Sequence, residues 1–310
     1  MTATATAVTT EKVSPQLQTS EIALKKVLVA IDFSEQTPRI MEAALAIARS
    51  FRSELILVHG ATPQIYGTGA EPSPIETLEV ALDVAKAMMT ALVTDCTELK
   101  AIKHREIITY CPPVDLVEQI VKDEKVNLVI AGSHGASGVE RLALGSVAQS
   151  ILQRVPCPTL IVGPHSSAVQ HPFRSILLAT DLERTGLRAA QYASGLAERF
   201  YGKLMLLHVV EPKAMHDGHR PEFSEEEMLR SLRRLVPPDL SIYTSGEVYI
   251  EYGKANETIT HVANSVCPSL IVMGVCEHSI LADHAPWSTL AHVIREAHCC
   301  PVLVVRRTLA

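Results

Sequence analysis

Residues 25–60 read KKVLVAIDFSEQTPRIMEAALAIARSFRSELILVHG, and the fold turns on how this stretch divides. KKVLVAID is a run of aliphatic and β-branched residues ending at Asp32. SEQTPRIMEAALAIARSF follows with apolar residues at helical spacing and Pro38 in its first turn, and ELILVHG is a second apolar run. Strand, helix, strand is the reading. The order returns further on: SILLATD ends at Asp181, RTGLRAAQYASGLAERF has helical spacing, and KLMLLHVV is again strand-like. Asp32 and Asp181, Phe51 and Phe200, and His59 and His208 each stand 149 positions apart. A fixed offset that keeps both the apolar period and the punctuation in step indicates a duplicated domain.

The two halves continue alike. VNLVIAGSHG and PSLIVMGVCEH are apolar runs reaching a glycine, while SVAQSILQRVPCPTLIVGP and TLAHVIREAHCCPVLVV each read as a helix, a Cys-Pro stop and a last strand. Continuous Val, Ile and Leu runs alternating with amphipathic helices predict an α/β fold, two tandem doubly wound domains with parallel sheets covered on both faces. The first half has a long helical stretch over residues 74–100, the second a shorter and more charged one over residues 224–236. Residues 1–24, rich in Thr, Ala and Ser without periodicity, read as a disordered tail. The domains are expected at 25–165 and 172–310.

Composition narrows the function. The chain has 310 residues, 47% of them hydrophobic, and a net charge of -6 with Lys and Arg scattered, so no basic face for nucleic acid is indicated. No apolar run approaches the roughly 20 residues of a membrane span, and no secretory leader is recognisable. Seven cysteines, an odd number without a CxxC pair, read as thiols of a reducing compartment. A cytoplasmic protein is expected.

The stretch Gly132–Ser146, GSHGASGVERLALGS, concentrates glycine where LVIAG delivers the chain to the carboxyl edge of the sheet. Ligands of open parallel sheets bind at that edge, where the strand order reverses. Glycines there let main-chain N–H groups turn inward, and Ser146 reads as the N-cap of the helix VAQSILQRV, whose positive dipole end faces the same point. A phosphate suits such a place. Ordinary turns with a capping serine are the alternative, because glycine spacing alone is a weak signal. Neither a P-loop nor a dinucleotide fingerprint is present. His59 and His208 close apolar strands and are expected to be structural, hydrogen-bonded histidines.

Gly132, two residues, Gly135, nine residues, Gly145-Ser146, after a strand ending in Asp32, resembles the universal stress protein family, in particular its ATP-binding branch with the signature G-2x-G-9x-G-[S/T]. The resemblance spans residues 25–165 and, more weakly, 172–310. It implies in each half a five-stranded parallel sheet in the order 3-2-1-4-5, and a mostly non-catalytic, nucleotide-binding role in stress survival. The sequence offers no positioned base or lysine clamp for phosphoryl transfer, so slow ATP hydrolysis at most is expected. By the same resemblance, Ala30, Asp32 and Gly60 line the adenosine end, and Ala131, Gly132, His134, Gly135, Gly145, Ser146 and Val147 hold ribose and phosphates. Gly60 departs from the family, which usually has an aliphatic residue there. Arg141 is a further candidate for phosphate. Asp32 is placed to contact the nucleoside or a phosphate-bound Mg²⁺, or to cap the helix that begins at SEQT. The resemblance also implies pairing through the last strands, TLIVG with VLVV, as an intrachain pseudo-dimer that leaves room for a homodimer, and partner proteins of unknown identity.

The second half lacks the loop. Alignment from the Cys-Pro end puts Ser288 and Thr289 where Gly145 and Ser146 stand, and Glu277 near the place of Gly135, so a carboxylate and side chains fill the phosphate position. That half is not expected to bind ATP. Cys276, His278, Asp283, His284, His292, His298, Cys299 and Cys300, with His216 and His219 elsewhere, are metal-ligand types, but their spacing fits no standard zinc pattern. A repeat kept for packing, with Trp287 filling the crevice, is the preferred reading, beside a nucleotide-independent partner-binding protein or a weak metal-dependent activity in this half.

Overall fold

Val27, Leu28 and Val29 are all fully buried, so the strand they form must be covered on both faces and flanked on both edges. A computed structural model describes residues 21–61, 78–133, 144–163, 173–182, 184–211, 224–237, 247–275, 285–297 and 300–306. The first half runs β1 (Lys26–Ala30), α1 (Thr37–Phe51), β2 (Glu54–Ala61), α2 (Leu78–Asp95), a 3₁₀ turn (Thr97–Ala101), β3 (His104–Tyr110), α3 (Pro113–Glu124), β4 (Leu128–Gly132), α4 (Ser146–Arg154) and β5 (Thr159–Val162). The second runs β6 (Ser175–Ala179), α5 (Arg184–Phe200), β7 (Lys203–Val210), α6 (Glu225–Arg234), β8 (Val248–Tyr252), α7 (Ala255–Val266), β9 (Leu270–Val275), α8 (Ala285–Glu296) and β10 (Val302–Arg306).

Each half is a parallel sheet of five strands in the order 3-2-1-4-5, as the resemblance implied. The halves are not separate sheets. β5 and β10 pair antiparallel, Ile161 with Val302, Leu160 with Leu303 and Thr159 with Val304, to give one ten-stranded sheet ordered β3-β2-β1-β4-β5-β10-β9-β6-β7-β8. Both apolar clusters run through this joint. One unites α1 and α5 with one face of the sheet, and the other unites α3, α4, α7 and α8 with the opposite face. Phe200 stacks against Phe51 of the first half at 6.2 Å and against Phe173 at 4.9 Å, while the Arg199 guanidinium lies 5.4 Å from the Phe51 ring and donates to the Ser50 carbonyl.

The duplication extends to the helix ends. Arg52 and Tyr201 take the left-handed conformation after α1 and α5, and the next residues, Ser53 and Gly202, donate back to Ala48 and Ala197. Both are helix terminations of the same kind at the same offset. Gly202 is required there: a Cβ would stand 2.5 Å from the Phe173 carbonyl.

Several elements lie outside the sequence reading. β3 and β8, the outer strands of the sheet, and the helices α3 and α7 that follow them were left unassigned. Residues 21–24 are packed as well: Leu24 is buried and its carbonyl accepts from Ser53 Oγ, and the Glu21 carbonyl accepts from Gln191 Nε2 at 3.1 Å. The remainder of the expected tail lies outside the described residues. Among the described residues, no helix is long and apolar enough to cross a membrane.

At the amino edge of the sheet, Lys26 and Arg105 meet Glu124, while Lys103 and Arg105 meet Glu54. The hydrogen bond from Lys103 holds the Glu54 carboxyl below its ordinary range, and that from Arg105 does the same for Glu124. A lowered folded-state pKa stabilises the fold above the ordinary value of 4.5 and ceases to do so as pH falls through the lowered one. The melting temperature should therefore drop as pH is lowered below about 4.5, and Glu124→Gln should flatten that drop when melting is followed by circular dichroism between pH 3 and 7. Because the cores cross the joint, Leu303→Ala, at a site 2% exposed, should cost about 2–5 kcal/mol in urea unfolding, and the two halves should melt in one transition.

Candidate functional site

Parallel order 3-2-1-4-5 reverses direction between β1 and β4, so the carboxyl ends of β1, β2 and β4 and the start of α4 share one edge. β1 leaves the sheet at Ile31, whose N–H still donates to Val58 O at 2.8 Å. Asp32 then turns the chain: its Oδ1 accepts from the Ser34 N–H at 3.0 Å, and Phe33 takes a left-handed φ of 56°. The Phe33 ring lies 4.7 Å from the His59 ring, and His59 Nδ1 is 2.8 Å from Ile31 O. His208 makes the same contact with Thr180 O at 2.9 Å, so both histidines tie a β-strand end to its neighbour as expected of structural residues. Asp32 does not cap α1. Gln36 holds that position without a side-chain cap bond, because the Asx turn spends four residues before the helix can begin.

On the other side of the switch, Ala131 is buried and Gly132 pairs with Val162 at the last step of β4. Ser133, also fully buried, donates its N–H to Val162 O at 2.9 Å and accepts from the Gly145 N–H at 2.8 Å. This pair closes the glycine loop at its base. The N-cap of α4 is Gly145, not Ser146 as the sequence suggested: its carbonyl accepts from Gln149 N at 2.9 Å, and Ser146 is the first residue of the helix. With a glycine at the cap and no acidic residue in the first turn, no side chain competes for the leading N–H groups. Ser146 is exposed, and Val147 is 40% exposed beside it. His134, Gly135 and Arg141 lie outside the described residues.

Gly60 has a reason that sequence did not suggest. A Cβ there would stand 2.5 Å from the Cys111 carbonyl and 3.0 Å from Pro113 Cα, so the β3–α3 connection occupies the space that an aliphatic side chain would take. The Cβ side of Gly60 is closed by main chain. Tyr110, 47% exposed at the end of β3 and in register with Ala61, adds an aromatic surface to the same edge that was also missed.

The second half diverges at each of these points. Register places Ser133 opposite Val275 in the duplicate, and β9 runs on through Val275, paired with Arg306. α8 starts at Ala285, so Ser288 and Thr289 lie inside the helix rather than at its cap. The helix therefore starts about one turn ahead of the place where α4 starts in the first half. The duplicate turn also carries a bond of its own: Thr180 Oγ1 accepts from Leu182 N at 3.2 Å, and Gly186 packs onto that hydroxyl. Of the metal-ligand types, His292 sits on α8 with Nδ1 3.1 Å from Arg295 Nη2, and Cys300 is buried before β10. The others, and the Trp287 side chain, lie outside the described residues.

A tandem α/β sheet with a glycine-capped helix at its switch point defines the class of protein, and the comparisons agree. The universal stress protein family model matches residues 23–163 and again 172–306. The chain belongs to the universal stress protein family, as a tandem of two repeats. Universal stress protein YxiE of Bacillus subtilis is 28% identical over 144 residues, which is 44% of this chain and 97% of that protein. Universal stress protein A homolog 2 of Coxiella burnetii is 28% identical over 142 residues, covering 44% of this chain and 94% of its own. A crystal structure of a universal stress protein from Archaeoglobus fulgidus covers 93% of this chain and 100% of its own with a TM-score of 0.68 at 20% identity, a likeness of fold.

The close approach at Gly60 is testable. Gly60→Val should destabilise the protein by about 1–3 kcal/mol in urea unfolding, since the Cys111 carbonyl and Pro113 are backbone and must shift.

Proposed function

We propose that the first half binds one adenine nucleotide, ATP with Mg²⁺, and that the protein acts as a nucleotide-dependent adaptor in the cytoplasmic stress response rather than as an enzyme. The observation that carries this reading is the start of α4: a glycine cap, an acid-free first turn and an exposed Ser146-Val147 pair beside the buried Ser133–Gly145 closure. Such an N-terminus attracts phosphate through its leading N–H groups and dipole. The full glycine signature, by its resemblance to the ATP-binding branch, supports the same choice of ligand.

The roles follow the resemblance, with His134 and Gly135 outside the described residues. Gly132, His134, Gly135, Gly145, Ser146 and Val147 hold ribose and phosphates, with Ala131 as the buried strand end behind them. Ala30, Asp32 and Gly60 meet the adenosine, and Tyr110 offers a face on which the base can lie. Mg²⁺ supplies neutralisation of phosphate charge, and Asp32 is the carboxylate placed for it. The base meets the Gly60 main chain without aliphatic packing, which lowers affinity at that end. No lysine clamp or positioned base for phosphoryl transfer has been assigned, in keeping with slow hydrolysis at most. The second half, with α8 extended and β9 continued, serves as a packing repeat without this ligand mode.

Titration calorimetry of ATP with Mg²⁺ tests the reading. Wild type should bind with a stoichiometry near one per chain. Ser146→Asp adds a carboxylate that favours the helix start but repels phosphate, so it should keep its melting temperature and lose about tenfold or more in affinity. Gly135→Asp should lose binding likewise. No heat with wild type and no competition by ATP analogues would overturn the proposal.

A further inference from the structure

Arg306, the last residue of β10, is 9% exposed, and its guanidinium does not stay in its own half. Nη1 donates to Gln153 O at 3.1 Å and to Val155 O at 2.8 Å, the final turn and C-cap of α4. Antiparallel pairing makes this reach unavoidable. The register that sets Val304 against Thr159 carries Arg306 to the level of Cys157, directly after the end of α4. The main chain of Arg306 is fixed in turn, its carbonyl accepting from Arg188 Nη1 at 2.7 Å.

The last carbonyls of a helix have no intrahelical donor, and Val155 is fully buried, so the guanidinium supplies the bonds that water cannot. It also places a cation at the negative end of the helix dipole. The duplicate lacks this device. Register sets Gly163 in the first half at the place of Arg306, and a glycine has no side chain to reach α8. The second half thus props a helix of the first through a side chain that Gly163 cannot match.

We infer that Arg306 is a positioning residue for the anion site of the first half: it anchors the carboxyl end of α4 and so holds the Gly145–Ser146 end against the base of the glycine loop. The inference rests on the nucleotide reading given above. α4 has nine residues, about 13 Å at the usual rise, so the guanidinium stands a whole helix away from the phosphate position. It does not touch the anion, and the effect works through placement. A short helix held by Ala148, Ile151 and Leu152 on one side, and by Arg306 at its end, moves as a rigid piece when the end is released.

Binding of ATP and of adenosine to wild type, Arg306→Gln and Arg306→Lys separates the outcomes. Adenosine lacks phosphates and keeps at most the ribose contacts at the start of α4. Arg306→Gln should lose at least about fivefold in ATP affinity, the low end of intramolecular coupling, with a smaller loss for adenosine. Arg306→Lys, which keeps the charge and one donor group, should recover part of it. Amide exchange should quicken in α4 of Arg306→Gln and stay as in wild type in α1. Equal ATP affinity in Arg306→Gln and wild type, or equal loss of ATP and adenosine, overturns the inference and leaves the nucleotide reading standing. Failure of wild type itself to bind ATP overturns the nucleotide reading and this inference with it.

Discussion

Three antiparallel residue pairs, Ile161–Val302, Leu160–Leu303 and Thr159–Val304, carry the architecture. A parallel five-stranded half ends in a strand with one unsatisfied edge, which invites pairing with another chain. Here both such edges are consumed by each other within one chain. The outer edges of the resulting sheet are β3 and β8, which are less buried and carry charged residues such as Arg105, Glu106 and Glu251. Charge at a sheet edge discourages further strand addition. Joining the halves this way also merges their apolar clusters, so that each face of the sheet has one core continuous across both repeats.

The joint fixes more than stability. Its register decides which side chains of one half face the helix ends of the other, and it brings Arg306 to the end of α4. The same register puts Cys157 beside that guanidinium, where burial still pushes the thiol up to about 12 despite the nearby positive charges of Arg188 and Arg306. Cys157 is therefore a small apolar filler of the seam, consistent with the reading of the cysteines as reduced thiols. Desolvation outweighs charge at this point because the seam is closed to water.

Much of this was legible in residues 25–60 and their duplicate. Central strands buried on both faces leave continuous apolar runs, so β1, β2, β4 and β5 and their counterparts announced themselves. β3 and β8 did not, since an edge strand such as HREIITY alternates charge with apolar residues and forms no run. Asp32 and Ser146 were both read as helix caps, because Asp and Ser favour that position. The structure gives the caps to Gln36 and Gly145: an Asx turn at Asp32 delays α1, and the Ser133–Gly145 bond ends the loop one residue early. Caps depend on where tertiary contacts stop the loop, which local propensity does not encode. Gly60 shows the same limit, since its reason is a main chain fifty residues away.

Duplication gave two equal edges, and divergence then assigned them different work. Ser133 became Val275 in the register of the repeat, which swaps a buried polar turn for one more step of parallel strand. With that step added, β9 extends past Gly274, and α8 gains a turn at its start in the place of a glycine loop. Both changes extend regular main-chain hydrogen bonding at the carboxyl edge of the second half. Gly163 and Arg306 diverged in the complementary direction. A long side chain at the end of β10 costs the second half nothing, because it leaves that half and satisfies carbonyls of the first. The end of one half's last strand thereby caps the helix that enters the other half's last strand.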